Sequence, residues 1–343
     1  MKIGIIGASG YTGGELLRLV GGHPEFELNY IAAGSNAGEL VTAIHPQLPT
    51  LAGRTFEETS VANMSACDLL FMALPHGESS KYISKLRADL KIIDLGADFR
   101  LSSANSWAKY YGGAHAGTWT YGLPEIAGLR SQIVAANRIA NPGCYATAIA
   151  LATAPAIGVI DPTDIVVVAA SGTTGAGRSA KANLLGSEVM NSLSSYKFGG
   201  IHQHTPEIEE TLEKAGGSGV KVSFTPILAP MPRGILATIT AKLLPEFSDS
   251  ADIEETVRAR YRNYFENEQF VILLPKGQLP KTSSVLGSNA IQIQVAVDHH
   301  THRLVISSAI DNLGKGAAGQ AIQNANLISG LSENLGLSMS GTP

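Results

Sequence analysis

Two cysteines are present in this 343-residue chain, and Cys144 stands in the stretch IANPGCYATA. The Asn-Pro-Gly before it predicts a turn, and the alanine-rich run after it predicts a buried helix that begins at the cysteine. A thiol in the first turn of a helix lies at the positive end of the helix dipole, which favours the thiolate. We therefore expect Asn141 to cap the helix and Cys144 to be a nucleophile. The alternative is a small buried hydrophobic residue, a description that fits Cys67 at the start of an apolar strand.

A nucleophilic thiol needs a proton acceptor, and the stretch GGIHQHTPEIEETLEK offers His202 and His204. Pro206 and Glu207 follow Thr205 in the pattern of a helix start, so we predict a helix from Thr205. Alternation in an extended segment would put both histidines on one side. A histidine can deprotonate the thiol and protonate a developing alkoxide. The alternative is a pair of structural histidines, and the residues leave open which of the two is the base.

Three glycines separate an apolar run from a helix-like run in the N-terminal stretch GIIGASGYTGGELL. Glycines at such a turn let the backbone approach a pyrophosphate, which then binds the helix N-terminus. The spacing departs from G-x-G-x-x-G, because Ser9 stands at the middle glycine position, and a purely structural turn is the alternative. We predict a dinucleotide site with contacts from Gly7, Ser9, Gly10, Tyr11, Thr12 and Gly13.

The identity of the dinucleotide depends on the next strand-like run, which ends in YIAAGSNAG without a carboxylate. NAD sites place Asp or Glu there to bind the ribose 2′-hydroxyl. A carboxylate would repel a 2′-phosphate, whereas the Ser35 hydroxyl and the neighbouring amides can donate to one. The sequence therefore favours NADP over NAD.

These residues depend on two kinds of sheet for their positions. The first third alternates apolar runs with helix-like stretches, including a predicted helix over 78–90, which indicates βαβ units and a parallel sheet. Later runs such as NAIQIQVAVD and RLVISSAI alternate apolar and polar residues, which predicts a largely antiparallel sheet with one covered face. The fold class is α/β: an N-terminal Rossmann-like doubly wound parallel sheet plus an α+β domain with a largely antiparallel sheet.

The same patterns predict the domain boundaries. We expect an NADP-binding domain over 1–143 and a catalytic domain over 144–311. A glycine-led helix within 312–343 is expected to return to the first domain and complete it.

Composition excludes several classes of protein. The formal net charge is −4 and basic residues do not cluster, so we expect no nucleic-acid partner. No apolar stretch reaches the roughly 20 residues that span a bilayer, so we expect no membrane association. The strand-like N-terminus leaves no targeting peptide, which favours a cytoplasmic protein. The three histidines of DHHTH fit a solvated hairpin turn better than a metal site, and we expect no metal.

The ordered series of motifs resembles the N-acetyl-γ-glutamyl-phosphate reductase family of arginine biosynthesis, within the semialdehyde dehydrogenase superfamily. The matching stretches are GASGYTGGELLRL, LPHG, DLGADFRL, YGLPE, NPGCYAT, SGTTGAGR, HQHTPE, PMPRGIL and NLGKGAAGQAIQN. The resemblance implies NADPH-dependent reduction of a small-molecule acyl phosphate to an aldehyde with release of phosphate. It also implies Cys144 as nucleophile and a histidine of HQH as acid/base. The family forms homodimers or homotetramers, so the resemblance implies that the domain over 144–311 also serves substrate binding and oligomerisation.

Further site residues are expected around these motifs. Cofactor contacts are predicted for Pro75, His76 and Gly77, for Ser171, Gly172, Gly175 and Gly177 of a second glycine-rich loop, and for Asn312 and Lys315. Candidates for the substrate carboxylate and phosphate are Arg100, Arg178, Lys197, Glu207 and Arg233, each of which could instead form an ion pair. The N–H of Cys144 and the side chain of Asn141 could stabilise an oxyanion.

Three rival functions remain open to the residues. The same chemistry would serve a longer or carrier-linked acyl phosphate, as in the aminoadipate route to lysine. Aspartate-semialdehyde dehydrogenase shares the architecture but typically carries its cysteine in another local sequence. A regulator that senses NADP(H) without turnover would need neither the nucleophile nor the histidines.

Overall fold

The computed structural model describes residues 1–248, 250 and 252–342. The chain forms two compact units. Unit 1 comprises Met1–Pro124, Gly128–Pro142 and Ala317–Leu337, and unit 2 comprises Glu125–Ala127, Gly143–Gly316 and 338–342. Segments 312–316 and 338–342, predicted with the first domain, belong to unit 2, where Asn289 N–H donates to Ser338 O at 2.8 Å. The function of each unit stays a prediction.

Unit 1 contains one parallel sheet. Its strands are β1 (Lys2–Ile6), β2 (Glu27–Ala32), β3 (Leu69–Met72), β4 (Lys91–Asp94), β5 (Thr120–Tyr121) and β6 (Arg138–Ala140). The order is β2-β1-β3-β4-β6-β5, and every pairing is parallel, as predicted. The strand order reverses direction between β1 and β3, and open parallel sheets bind ligands at the carboxyl ends of strands at such a switch point.

Helices lie between these strands along the chain. They are α1 (Tyr11–Gly21), α2 (Val41–Ile44), α3 (Val61–Ser65), α4 (Ser80–Ile83), α5 (Ala104–Tyr110) and α6 (Leu129–Val134). Only Ser80–Ile83 of the helix predicted over 78–90 is α-helical, so the prediction is wrong from residue 84 onward. Serine side chains compete with helical hydrogen bonds, and the Ser79 hydroxyl donates to Asp94 Oδ1 at 2.7 Å. The turns after Ile83 place Leu86 and Leu90 in the core beside β4.

Unit 2 contains a mixed sheet. Its strands are β7 (Ile160–Ser171), β8 (Ser194–Ser195), β9 (Val222–Leu228), β10 (Ile235–Leu243), β11 (Val271–Leu273), β12 (Ile291–Asp298) and β13 (Arg303–Ile310). The order is β11-β12-β13-β10-β7-β9-β8. Four of its six pairings are antiparallel, which confirms the prediction, while β11 with β12 and β7 with β9 run parallel.

The predicted alternation of covered and uncovered faces is clearest in the central strand β10. Ile235, Ala237, Ile239 and Ala241 are buried, while Leu236 between them is 36% exposed. The helix that begins at Cys144 is part of the layer that covers this face of the sheet. The helices of unit 2 are α7 (Cys144–Thr153), α8 (Gly186–Val189), α9 (His204–Lys214), α10 (Pro245–Ser248) and α11 (Ile253–Tyr264). Helix α7 packs against β10, β13 and α9, so every residue from Tyr145 to Thr153 is buried.

The last helix, α12 (Gly319–Ile328), follows a π-helical turn at Gly314–Ala318. It packs against α1 and α6 of unit 1, and His23 Nε2 lies 3.0 Å from Asn326 Oδ1. The predicted glycine-led closing helix is thus confirmed. The DHHTH segment connects antiparallel β12 and β13, as predicted, with exposed His299, His300 and His302. Among the described residues, no helix has both the length and the apolar character needed to cross a bilayer.

Candidate active site

Cys144 is the first residue of α7, where the sequence placed it. The preceding Gly143 is the N-cap, with extended backbone angles (φ −72°, ψ 146°). Cys144 is partly exposed although the rest of the helix is buried. A thiol here combines access from solvent with the positive end of a helix dipole, which are the two conditions for a reactive cysteine.

Asn141 does not cap this helix, so that prediction is wrong. Gly143 occupies the cap position and, as a glycine, has no side chain that could accept a capping hydrogen bond. The Asn141 amide instead stays within unit 1, where Nδ2 donates to Ala317 O at 3.2 Å and Oδ1 accepts from Asn324 Nδ2 at 3.0 Å. These two contacts tie the segment after β6 to Ala317 and to α12. Stabilisation of an oxyanion by the Asn141 side chain stays a prediction.

Glu207 supports the turn before Cys144. It lies in the first turn of α9, is buried, and accepts the Gly143 N–H at 2.7 Å through Oε1. A carboxylate that accepts a backbone N–H is a strong, charge-assisted partner. Glu207, predicted to bind substrate, therefore positions the residue beside the thiol, and direct contact with substrate stays a prediction.

His202 and His204 lie close together at the start of a helix. Helix α9 begins at His204, and Gln203 already has helical angles (φ −61°, ψ −24°). The predicted extended alternation is therefore wrong, as is the predicted start at Thr205. The predicted proximity holds, because the two ring centroids lie 4.9 Å apart.

Aromatic rings enclose His202. Tyr145, the neighbour of Cys144, meets it edge to face at 5.4 Å, Phe224 does so at 5.0 Å, and Tyr196 lies at 5.7 Å. Burial, with smaller contributions from His204 and Lys197, lowers the pKa of His202 to about 2. Burial also raises the pKa of Tyr196 to about 12. His202 and Tyr196 are therefore both uncharged near neutral pH.

These aromatic side chains were not predicted from the sequence. Tyr145 follows Cys144 directly, and its ring centroid also lies 6.0 Å from that of His204. The Tyr196 hydroxyl donates to the Tyr145 hydroxyl at 3.1 Å. Sequence adjacency was a usable signal for Tyr145 only, because the contacts with Tyr196 and Phe224 form through the fold.

The second glycine-rich loop, 171–178, folds onto the turn formed by residues 231–234. Gly172 N–H donates to Gly234 O at 2.9 Å, and a Cβ at Gly172 would lie 2.8 Å from Arg233 N. Close backbone approach therefore requires glycine at position 172. Ser171 is buried, while Gly175 and Gly177 are exposed. Their predicted contact with the cofactor stays a prediction.

The candidate cationic residues differ in the ion pairs and hydrogen bonds that they form within the protein. In unit 2, Arg233 forms a two-point pair with buried Asp311 (Nε–Oδ1 3.0 Å, Nη2–Oδ2 2.7 Å). Arg178 is exposed, and the Lys197 ammonium donates to the Gln203 side chain. In unit 1, Arg100 is buried and donates to Asn141 O and Leu95 O, both at 2.8 Å. Substrate binding by these residues stays a prediction.

Two residues near the C-terminal glycine-rich turn have structural partners. Asn312 Oδ1 accepts the Gly234 N–H at 2.8 Å, and Nδ2 donates to Thr174 Oγ1 at 3.0 Å. The Lys315 side chain is 0% exposed, and its ammonium lies 2.5 Å from Glu125 Oε1. The Lys315 ammonium is thus enclosed with a carboxylate. The cofactor contacts of Asn312 and Lys315 stay predictions.

In unit 1, the first glycine-rich loop joins β1 to α1. Gly7 has φ 78°, and a Cβ there would lie 2.3 Å from Ala73 O, so only glycine fits. Gly10 is the N-cap of α1 and supplies no side-chain hydrogen bond, which leaves first-turn N–H groups for an anion. Ser9 and Thr12 are partly exposed, Tyr11 is exposed and Gly13 is buried.

Two further loops of unit 1 follow β2 and β3, the two strands that flank β1 in the sheet. Ser35, after β2, is exposed, and its hydroxyl donates to Asn36 Oδ1 at 3.4 Å. Pro75 and His76, after β3, are exposed. Gly77 has φ 84° and donates its N–H to Asp98 Oδ1 at 2.6 Å. Asp98, which sequence reasoning missed, is buried and holds this loop in place.

The two thiols should react very differently with iodoacetamide. Burial raises the pKa of the Cys67 thiol, and its side chain is enclosed, whereas Cys144 is partly exposed at a helix start. Peptide mass spectrometry after brief labelling of the folded protein at pH 7 should find the adduct on Cys144. The control is the same reaction in urea, where both cysteines should be labelled. Preferential labelling of Cys67 in the folded protein would contradict this expectation.

Two family models match the chain. Semialdehyde dehydrogenase, NAD binding domain, matches residues 2–136, and semialdehyde dehydrogenase, dimerisation domain, matches residues 144–312. Among solved structures, aspartate semialdehyde dehydrogenase II of Vibrio cholerae complexed with ASA has a TM-score of 0.71 at 17% identity, covering 96% of this chain and 98% of that one. The Candida albicans enzyme with NADP gives 0.71 at 18%, with the same coverage. These structures share the fold.

Curated relatives are much more similar in sequence. The N-acetyl-gamma-glutamyl-phosphate reductase of Acidothermus cellulolyticus is 54% identical over 342 residues, which cover 99% of this chain and 98% of the relative. The reductase of Frankia casuarinae is 51% identical over 343 residues, with the same coverage. With about half of its residues identical to these relatives along nearly its whole length, the chain belongs to the N-acetyl-gamma-glutamyl-phosphate reductase family.

Proposed function

We propose that this protein reduces N-acetyl-γ-glutamyl phosphate to N-acetylglutamate 5-semialdehyde with NADPH and releases phosphate, as a step of arginine biosynthesis. The observation that carries the proposal is the partly exposed Cys144 thiol at the start of the otherwise buried α7, in a unit that also holds His202 and His204 beside Tyr145. Family membership, with relatives named for this reaction, supports the same assignment.

The proposed chemistry begins at Cys144. One histidine of the pair accepts the thiol proton, and the thiolate attacks the acyl carbon. The C–S bond forms, the bond between the acyl carbon and the phosphate oxygen breaks, and phosphate leaves with the bonding electrons. A thioester on Cys144 remains. Its carbonyl is less stabilised by resonance than that of a carboxylate, so it is more easily reduced.

The residues of unit 1 fit a dinucleotide. The β1–α1 loop passes close to Ala73 O at Gly7 and offers first-turn N–H groups of α1, which suit a pyrophosphate. We assign these contacts to the segment 7–13, with Ser35 at the 2′-phosphate and the segment 75–77 toward the nicotinamide. NADPH, when bound, supplies the hydride. Addition of hydride to the thioester carbon would leave a thiohemiacetal alkoxide on Cys144. As its C=O bond re-forms, the C–S bond breaks, the aldehyde leaves and the thiolate is restored.

The reverse reaction tests the function directly. N-acetylglutamate 5-semialdehyde, NADP and phosphate should produce reduced nicotinamide, followed by its absorbance, and omission of phosphate should abolish the signal because phosphate must accept the acyl group. The matched substrates are the one-carbon-longer N-acetylaminoadipate semialdehyde and aspartate semialdehyde. Preference for either would overturn the substrate assignment. NADPH binding without turnover of any semialdehyde would indicate a sensing protein.

The Ser35→Asp variant should shift cofactor preference toward NAD. The exposed position after β2 brings a carboxylate toward the proposed 2′-phosphate, and the repulsion should lower kcat/KM for NADPH on the order of tenfold. Steady-state kinetics with both nucleotides measures the change. Ser35→Asn is the matched control, because it adds nearly the same volume without charge. Equal effects of both variants would place the 2′-phosphate elsewhere.

Further proposals concern the roles of the domains, the oligomer and the location of the protein. We propose that residues 1–143, completed by the last helix, bind NADP, and that residues 144–311 carry catalysis, substrate binding and oligomerisation. The match to a dimerisation domain over 144–312 supports a homodimer or homotetramer. The biosynthetic reaction of the relatives supports a cytoplasmic location.

A further inference from the structure

We propose that His202 is held as a neutral imidazole with its proton on Nε2, that it donates a hydrogen bond to the reacting acyl oxygen, and that His204 is the proton acceptor of the pair. The role toward the acyl group rests on the proposed function. The tautomer rests on the geometry of unit 2 alone.

The Nδ1 atom of His202 is already occupied by a donor. The backbone N–H of His204, the first residue of α9, donates to it at 3.1 Å. A backbone amide can only donate, so Nδ1 must present its lone pair, and the single proton of the neutral ring must then be on Nε2. This is the only hydrogen bond of the ring within the described part of the chain. The helix gains as well, because one of its unsatisfied first-turn N–H groups is capped.

A second proton on His202 is opposed from several sides. The ring accepts from the positive end of α9 and is enclosed by Tyr145, Tyr196 and Phe224, so a cation there would lose hydration and face a like dipole. The nearby Lys197 ammonium adds a like charge, and His204 would do so if protonated. Glu207 opposes this effect, but its Oε1 is committed to the Gly143 N–H.

A neutral His202 has its proton on Nε2 and accepts the His204 N–H at Nδ1. Neither nitrogen is therefore available to take the thiol proton. It can stabilise an oxyanion without changing its own charge, and such pre-oriented donors in sites of low polarity contribute strongly to acyl transfer. The proton of the Cys144 thiol must then go to a different base. His204, whose ring also meets Tyr145 edge to face, is the second imidazole of this cluster.

Nitrogen-15 NMR of the intact protein labelled at histidine tests the tautomer without any substrate. The His202 resonances, identified by their loss in His202→Gln, should show a pyridine-type Nδ1 and a pyrrole-type Nε2 that do not change between mildly acidic and mildly alkaline pH. Exposed His299 provides the solvent reference in the same spectra. The opposite tautomer, or a doubly protonated ring in this range, would overturn the proposal.

Two amide substitutions test the donor. The Gln side chain places an N–H near the position of Nε2, whereas the shorter Asn places it near Nδ1. We expect His202→Gln to keep kcat within about tenfold of wild type with an unchanged pH profile, and His202→Asn to lose about 100-fold to 1000-fold, the usual cost of one oxyanion donor. Similar losses in both variants would overturn the donor role.

The base assignment has its own readout. His204→Gln should reduce kcat at neutral pH, and activity should recover toward alkaline pH as the thiol ionises without help. A recovery of this kind in His202→Gln instead would reverse the two roles and overturn the proposal. If the wild-type protein reduced no acyl phosphate, the proposed function would fail while the NMR result still decided the tautomer.

Discussion

Cys144→Ser should lose at least about a hundredfold in aldehyde formation while its affinity for NADPH is unchanged. A serine hydroxyl at the start of α7 keeps the size of the side chain, but it ionises far less readily than a thiol, so the acyl-enzyme no longer forms at a useful rate. The same acyl-enzyme forms in the reverse reaction, so the loss should appear there as well and is measured by absorbance of the reduced nicotinamide. Fluorescence titration with NADPH measures the binding.

Cys67→Ser is the matched control for this variant. Cys67 lies in the core of unit 1 and its Sγ donates to Asn63 O at 3.5 Å, a bond that a serine hydroxyl can also make. We expect full activity per folded molecule and a loss of about 1 kcal/mol in the free energy of unfolding. Turnover close to wild type in Cys144→Ser would refute covalent catalysis at this position, whatever the control shows.

Lys315→Met should destabilise the protein by about 3–5 kcal/mol, the usual cost of removing one partner of a buried ion pair. The pair is fully enclosed, with Lys315 Nζ 2.5 Å from Glu125 Oε1 and 5.3 Å from the centre of the Phe270 ring. Methionine preserves the length of the side chain but leaves the Glu125 carboxylate buried without its counter-ion. Urea unfolding followed by circular dichroism measures the change.

Two further variants separate charge from packing in that result. Lys276→Met makes the same substitution in the surface pair with Glu254, where the lysine is 77% exposed, and should change stability by less than about 1 kcal/mol. The double variant Glu125→Leu/Lys315→Met removes both charges and should recover most of the loss. A single Lys315→Met variant as stable as Lys276→Met would show that the buried pair contributes no net stability.

Local patterns were sufficient for much of the fold and for the position of the thiol. The glycines at 7 and 10, the alternation in β10, β12 and β13, and the Asn-Pro-Gly before Cys144 each act within a few residues. A strand period, a positive φ or a helix start is decided by neighbouring atoms, so the sequence predicts it directly.

The errors share a different physical origin. Asn141 was predicted to cap α7, yet its side chain binds Ala317 and Asn324, more than 170 positions away. Lys315 likewise pairs with Glu125 across 190 positions, a partner that was not predicted from the sequence. A polar side chain satisfies the same hydrogen-bonding need with many partners, and only the packed fold decides which partner is close.

The sequence by itself determined the two sheets, the glycine-rich turn after β1 and a cysteine at the mouth of an apolar helix, because each depends on short-range backbone preferences and on apolar periodicity. The tertiary structure alone decided the surroundings of that cysteine. These are the hydrogen bond from Gly143 N–H to the Glu207 carboxylate, the aromatic rings around His202, and the choice of Nδ1 as the His202 nitrogen that accepts a hydrogen bond. Burial and hydrogen-bond direction set the protonation of a histidine, and both arise only when distant segments pack together.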